Sequence, residues 1–329
     1  MAIGIVSYGL YLPERIESAE QIAEIADVTL DEVHRLGIKH RYRPSDDDQP
    51  VPMAVKAAQK AFETANHLDP MEVDVVIWTG EEYKDYIAQT PSIRVQEETG
   101  CRNAWAFDLV AQSVTLIQGL RLARDLIAGD DGIQTVLLAG GTRNIDLVDC
   151  KNPDTRFLLP CSASGGAVIM RRDYNRNTLL DTAFLVDSEM ADEVYVPGGG
   201  TENPFSPENL NTEAMYFQTP HPEKVADYLE KRWAAALGNT GGRLKTGDKT
   251  GYLALRHLAP LDRKKVLKTL DLASHQSMDL EDYGHHGTND PLISLDLGRK
   301  QKALKDGDIV TLLTGGIGFT YAAAAIRWG

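Results

Sequence analysis

The stretch Ala104-Trp105-Ala106-Phe107-Asp108-Leu109-Val110-Ala111-Gln112-Ser113-Val114-Thr115-Leu116-Ile117-Gln118-Gly119-Leu120 limits what this chain can fold into more tightly than any other. Residues 105–109 predict an apolar strand. After a tight connection, Leu116, Leu120, Leu122 and Ala123 fall inward at helical spacing, and the helix ends near Gly129. Ser113 then stands at the helix N-terminus. Backbone N–H groups without helical partners and the positive end of the helix dipole gather there, so a nucleophile at that point is stabilised as charge develops on it. Such a turn suits acyl chemistry.

Strand and helix alternate through the rest of the chain. Residues 4–12 predict a strand closed by Pro13, and short helical patterns follow between Glu17 and Leu36. Residues 53–65 predict an amphipathic helix, 73–79 a buried strand, 91–99 a helix and 135–141 another buried strand. The small-residue turn at 162–166 leads into an apolar strand ending at Met170. A second half repeats this order, with a strand at 179–185, a long helix at 222–237, a strand at 252–255 and a helix at 262–270. A helix at 290–304 and strands at 308–314 and 319–327 complete it. The alternation implies mostly parallel sheets covered by helices, with right-handed crossovers. Two similar halves, 1–172 and 173–329, predict a duplicated five-layer α/β fold. A chain of 329 residues buries roughly 75% of its unfolded surface, enough for a large core without staples.

Composition excludes several function classes. The net charge of −14 repels nucleic-acid backbones, and no basic run with interleaved aromatics offsets it. Cys101, Cys150 and Cys161 are odd in number and lack metal-ligand spacing, so three reduced thiols and no metal site are expected. No apolar run approaches the length of a membrane span, and the N-terminus lacks the basic region and apolar core of a secretory signal. The expected compartment is the cytoplasm. Residues 37–43 carry a local basic excess, read either as a surface for a phosphate-bearing substrate or as a solvated charge run.

Several motifs occur in an order that resembles the thiolase superfamily, specifically the β-ketoacyl-acyl-carrier-protein synthase III group. They are the Gly9 to Pro13 start, Gly37-Ile38 with Arg41, Thr90-Pro91-Ser92, Ala106-Phe107-Asp108, Pro197-Gly198-Gly199-Gly200 and Gly315-Gly316-Ile317-Gly318-Phe319-Thr320-Tyr321. The resemblance covers nearly the whole chain and implies the thiolase-like five-layer αβαβα architecture. In that family the reactive Cys lies five residues beyond the Asp of the Phe-Asp motif, a position filled here by Ser113. The family His is matched by His257, which follows an apolar strand. The family Asn is matched by His285 in Tyr283-Gly284-His285-His286-Gly287, 28 residues after His257. Ser162-Ala163-Ser164-Gly165-Gly166-Ala167 departs from the family's usual Gly-Asp-Gly-Ala-Gly-Ala.

The change from Cys to Ser alters the chemistry. A helix N-terminus contributes at most about 2 kcal/mol, roughly one and a half pKa units, enough to make a thiol largely thiolate. An alcohol gains too little from this and needs an adjacent general base at the moment of attack. His257 or His285 is expected to take the Ser113 proton, with the other stabilising the charge formed with the second substrate. By resemblance, the loop Gly315 to Gly318, with Gly316 and Gly318 as its binding glycines, supplies an oxyanion hole. Arg35 and Arg156 are expected at the coenzyme A phosphates, since guanidinium suits bidentate phosphate contact. No cofactor is expected, acyl-CoA being a substrate.

The preferred reading is an acyltransferase that forms an acyl-Ser113 intermediate from an acyl-CoA or acyl-carrier-protein thioester and passes it to a carbon nucleophile. Free acyl-CoA is electrostatically easier to accept; a basic patch of Arg35, Lys39, Arg41 and Arg43 would serve an acidic carrier protein. The resemblance also implies a homodimer. Other readings stay open. Ser113 would be a remnant in a protein that only binds acyl thioesters or partners an active homologue. Gln112 would mark a decarboxylating enzyme. Glu81 or Glu82 would mirror the general base of hydroxymethylglutaryl-CoA synthases, or be exposed loop carboxylates. His34, His40, His67 and His221 are expected at the surface.

Overall fold

Alternate residues along the central strands face opposite ways, and here both faces are buried. The computed structural model describes residues 1–65 and 68–329. Its strands are β1 (Ile3–Tyr11), β2 (Arg15–Ser18), β3 (His40–Arg43), β4 (Val75–Trp78), β5 (Trp105–Asp108), β6 (Thr135–Thr142), β7 (Ser164–Arg172), β8 (Thr178–Val186), β9 (Thr250–Leu255), β10 (Ile309–Gly316) and β11 (Thr320–Arg327). Its α-helices are α1 (Ala19–Ala26), α2 (Leu30–Arg35), α3 (Pro50–Thr64), α4 (Pro91–Thr99), α5 (Thr115–Gly129), α6 (Pro222–Tyr228), α7 (Ala234–Gly241), α8 (Pro260–Thr269) and α9 (Asp290–Lys300). Local chemistry sets many of these ends. Ser18 with Gln21 and Thr29 with Glu32 form capping boxes at α1 and α2. Proline opens α3, α4 and α8, where its missing N–H costs nothing.

Nine strands run in the order β5-β4-β6-β7-β1-β8-β11-β10-β9, and β2 and β3 pair separately. The five on one side come from the chain before residue 173 and the four on the other from the chain after it. The two groups meet at the pair Gly4–Thr178. One face of the first group, with Val76, Trp78, Leu137 and Ile169, packs on the alanine-rich side of α3. Its other face, with Val75, Ile77, Val136 and Leu138, packs on Leu116, Ile117 and Leu120 of α5. The same core takes Leu292 and Leu295 of α9 and the strand residues Tyr252, Val310, Leu312 and Ala324 of the second group. The opposite face of that group, with Leu253, Leu255, Leu313 and Ala323, covers Leu237, Val266 and Leu267 of α7 and α8. Helix, sheet, helix, sheet and helix therefore stack in five layers, with α5 and α9 in the middle.

Two details differ from the sequence expectation. The β4–β5, β4–β6 and β9–β10 pairs are parallel, whereas β1–β7, β6–β7, β8–β11 and β10–β11 are antiparallel. Each half ends on two strands joined without an intervening α-helix, β6 with β7 and β10 with β11, and a consecutive pair lacking a crossover helix closes antiparallel. The helix expected at 222–237 is interrupted by a π turn, Leu229–Trp233, between α6 and α7. That widened turn brings Leu229, Glu230 and Trp233 to the wall of the main cavity.

Candidate active site

β5 ends at Asp108, whose carboxylate accepts the Ser92 N–H at 3.1 Å and so ties the strand end to the start of α4. The chain then turns sharply. Gln112 sits at φ +55°, a conformation that costs a side-chain-bearing residue energy and that recurs at functional turns. Ser113 follows within a 3₁₀ turn, Gln112–Val114, that leads directly into α5. It is 5% exposed. Its carbonyl accepts from Thr314 Oγ1 at 3.2 Å. Gly316, at the end of β10, presses against it: a Cβ on Gly316 would stand 3.0 Å from Ser113 N and 3.3 Å from Ser113 Oγ, so a side chain there would crowd the serine. Gly318 lies further along the same loop at φ +130°, with Thr320 as the neighbour a Cβ would meet.

The second half delivers His285. Its backbone N–H donates to the Pro160 carbonyl at 2.7 Å, and its own carbonyl accepts the Ser162 N–H at 2.8 Å. The ring is pinned as firmly. Nδ1 lies 2.6 Å from Asp290 Oδ2, and Nε2 lies 3.4 Å from Ser113 Oγ. Asp290 is fully buried at the first residue of α9. Besides His285, it accepts the His257 N–H at 3.0 Å and the His286 N–H at 2.6 Å. Burial alone would raise this carboxyl, but the His285 ring and the Arg256 guanidinium beside it hold it well below the usual carboxylate range. An ionised Asp290 makes Nδ1 the protonated nitrogen and Nε2 the acceptor, which Ser113 Oγ and Arg256 Nη2 both approach.

His257 borders the same cavity but is engaged elsewhere. Its Nε2 lies 2.9 Å from the Gly37 carbonyl, so that nitrogen carries the proton, and the ring makes no hydrogen bond to Ser113. Burial pushes its pKa down to about 4. The residue before it, Arg256, carries no motif signal, yet it reaches the ring that faces Ser113, with Nη2 3.2 Å from His285 Nε2. β9 ends at Leu255, and the first residue beyond a strand end is a natural place for a side chain to enter a site.

Glu81 corrects a second expectation. It is 1% exposed rather than an open loop carboxylate, with Oε1 3.3 Å from Ser113 Oγ and with Thr142 Oγ1 and Asn144 Nδ2 donating to Oε2. Burial pushes its carboxyl up, favouring the neutral acid, while His285 and the hydrogen bonds oppose that. Glu82 is exposed. Cys161 also lines the cavity, but burial drives its thiol up to about 12, so it stays protonated at neutral pH.

The basic run at 37–43 is largely neutralised. Arg41 is fully buried and paired with Glu17 at 2.8 Å, Arg43 shares Glu17 at 3.5 Å, and Lys39 pairs with Glu281 at 2.9 Å. It forms no open basic patch, because conserving a buried Arg requires a carboxylate partner. Arg35 stands at the cavity wall, largely exposed and 3.3 Å from Asp31. Arg156 is outside the cavity lining and pairs with Glu32 at 3.4 Å. His34 is exposed, His40 and His221 pair with Asp282 and Glu193, and His67 lies outside the described residues. Among the described residues no group of three or more His, Cys, Asp or Glu has metal-binding geometry. No described helix is long and apolar enough to cross a membrane.

Ser113, His285, Arg256 and Gly316 thus converge on one cavity of about 390 Å³, walled by Phe217, Trp233, Ile317 and Phe319. A buried hydroxyl, an imidazole oriented by a carboxylate and an apolar chamber can together accept an acyl group and exclude water.

The fold is that of the thiolase-like condensing enzymes. The structure superimposes on 3-oxoacyl-[acyl-carrier-protein] synthase III from Aquifex aeolicus with a TM-score of 0.85 at 20% identity, covering 99% of this chain and 100% of that one. It superimposes on the 3-oxoacyl-(acyl carrier protein) synthase III of Pseudomonas aeruginosa with a TM-score of 0.84 at 23% identity, covering 100% and 98%. Residues 107–188 match the family 3-oxoacyl-[acyl-carrier-protein (ACP)] synthase III, and residues 253–328 match its C-terminal family. The β-ketoacyl-[acyl-carrier-protein] synthase III of Caldanaerobacter subterraneus is 26% identical over 335 aligned residues, spanning 100% of this chain and 98% of that protein. Along its whole length, in sequence and in fold, the chain is similar to the β-ketoacyl-acyl-carrier-protein synthase III group of the thiolase superfamily.

Proposed function

We propose that the protein is an acyltransferase of the condensing type that works through an acyl-Ser113 intermediate. The observation that carries this reading is the chain Ser113 Oγ, His285 Nε2, His285 Nδ1, Asp290 Oδ2, with steps of 3.4 and 2.6 Å between residues. His285 Nε2 takes the hydroxyl proton as Oγ attacks the thioester carbonyl, and Asp290 stabilises the imidazolium. The Oγ–C bond forms, the C–S bond breaks, and the departing thiolate takes the proton from His285. The Ser113 N–H belongs to the first turn, whose donors lack partners within it, and with the loop at Gly316 it is suited to the oxyanion.

Coenzyme A thioesters are the favoured donors. Arg35 at the cavity wall suits a phosphate, and the pairing of Lys39, Arg41 and Arg43 weakens the case for a carrier-protein patch. A carbon nucleophile then receives the acyl group. Glu81 supports a second reading, in which this buried carboxyl handles a proton during condensation. The protein is further proposed to be a homodimer paired along β5, an edge strand whose Trp105 is 51% exposed. Trp105→Lys is expected to yield monomers in sedimentation velocity.

Intact mass after incubation with a panel of acyl-CoA thioesters tests the main reading. An acyl increment mapped to Ser113, absent in Ser113→Ala and present in Gln112→Ala, is expected. No increment from any donor that binds would overturn it in favour of the binding or decarboxylating alternatives.

A further inference from the structure

Arg256 carries more charge than the site around it uses. Its Nε–H donates to the His257 carbonyl at 3.0 Å, an Nη1–H to the Gly315 carbonyl and an Nη2–H to His285 Nε2 at 3.2 Å. A guanidinium has five N–H donors, so each terminal nitrogen keeps one N–H without a protein partner among the described residues. No described carboxylate lies within ion-pairing distance of it: Asp290, whose charge it feels, spends its oxygens on His257, His285 and His286. Trp233 backs the group, its ring centroid 5.0 Å from Cζ. A half-buried cation with two N–H groups to spare at the wall of a ligand cavity is matched by the two oxygens of a carboxylate.

We infer that Arg256 reads a second carboxylate on the acyl donor, so that Ser113 is acylated by the monothioester of a short dicarboxylic acid of the malonyl class, which keeps that carboxylate after transfer. This rests on the acyl-Ser113 reading above. His285 Nε2 is 3.4 Å from Ser113 Oγ and 3.2 Å from Arg256 Nη2, which puts the guanidinium within two hydrogen-bond lengths of the nucleophile. Two carbon–carbon bonds of about 1.5 Å each carry the far carboxylate of a malonyl group toward it. An acetyl group leaves the guanidinium unpaired, and a site built for a charged partner rejects the analogue that lacks it. The step is the transfer already described: the far carboxylate is unchanged, coenzyme A leaves as the thiol, and nothing is oxidised or reduced.

Binding and acylation test this separately. Ser113→Ala is titrated with malonyl-CoA and acetyl-CoA, beside Ser113→Ala combined with Arg256→Met or Arg256→Lys. Wild type and Arg256→Met are incubated with both donors and weighed intact. Malonyl-CoA is expected to bind Ser113→Ala about ten- to a hundredfold more tightly than acetyl-CoA. Arg256→Met is expected to abolish that preference, and Arg256→Lys, which keeps the charge but not the fork, to reduce it. Wild type is expected to gain a full malonyl increment on Ser113 faster than an acetyl one. Equal binding of the two donors to Ser113→Ala, a preference that survives both substitutions, or an adduct that has lost carbon dioxide overturns the proposal. A malonyl preference in binding with no adduct on wild type from either donor sustains the recognition by Arg256 and sinks the acyl-serine.

Discussion

His257 and His285 border the same cavity, and both residues are tied to Asp290 at the start of α9, yet they serve opposite ends. At His285 the side chain bonds Asp290 and the far nitrogen faces Ser113. At His257 the backbone N–H bonds Asp290 and the side chain turns to the Gly37 carbonyl. One carboxylate thus orients the His285 ring and anchors two backbones: Oδ2 meets His285 Nδ1 and the His257 N–H, and Oδ1 the His286 N–H. The difference teaches that a histidine's role follows from what its second nitrogen is free to meet, rather than from its place after a strand.

The largest effect that separates the two is expected from His285→Ala, which removes the general base and should slow single-turnover acylation of Ser113 by about 10²–10⁴-fold. His257→Ala in the same assay is the control for mere proximity. Asp290→Asn comes next. Both carboxylate oxygens accept N–H groups, so an amide sets its NH₂ against a donor in either orientation. A loss of about 1–3 kcal/mol in urea denaturation, with acylation slowed alongside, is the expected result.

His257→Gln is expected to be milder, because its amide can still donate to Gly37, and acylation should change less than about tenfold. Its signature lies in pH. Burial holds His257 and His286 neutral down to about pH 4 in the folded state, whereas unfolded histidine protonates near 6.5. The unfolded chain therefore binds more protons between those values, and stability falls as pH drops through that window. His257→Gln should flatten this fall, read as urea midpoints at pH 7 and pH 5. Unchanged slopes would contradict the buried neutral ring.

The smallest effect is expected at Glu81. Its folded pKa is raised, so its contribution is present at low pH and is lost as pH rises through the folded value. Glu81→Gln mimics the neutral acid and should raise Tm at pH 8 while leaving it unchanged at pH 4. A loss of acylation in this variant would favour a proton-handling role.

The order of strands and helices was legible because apolar spacing reports burial directly. The expected helix at 91–99 matches α4, and the expected strand at 135–141 lies within β6. Ser113 was legible through its turn, and His285 through its interval from His257. Arg256, Glu81 and Asp290 were harder. Each is a charged residue of a kind common on surfaces, and no spacing along the chain says that the residues at 81, 113, 256, 285 and 290 share a few ångströms.

What the sequence alone determined was the alternating α/β architecture, the turn that presents Ser113 and the need of a serine for a base, since local periodicity and intrinsic acidity need no partner. What only the tertiary structure decided was which histidine meets the serine, which arginine is spent on Glu17 and which is left facing the cavity. Those outcomes depend on who is adjacent across the five layers, and burial gives each adjacency its consequence by making an unpaired charge or donor costly.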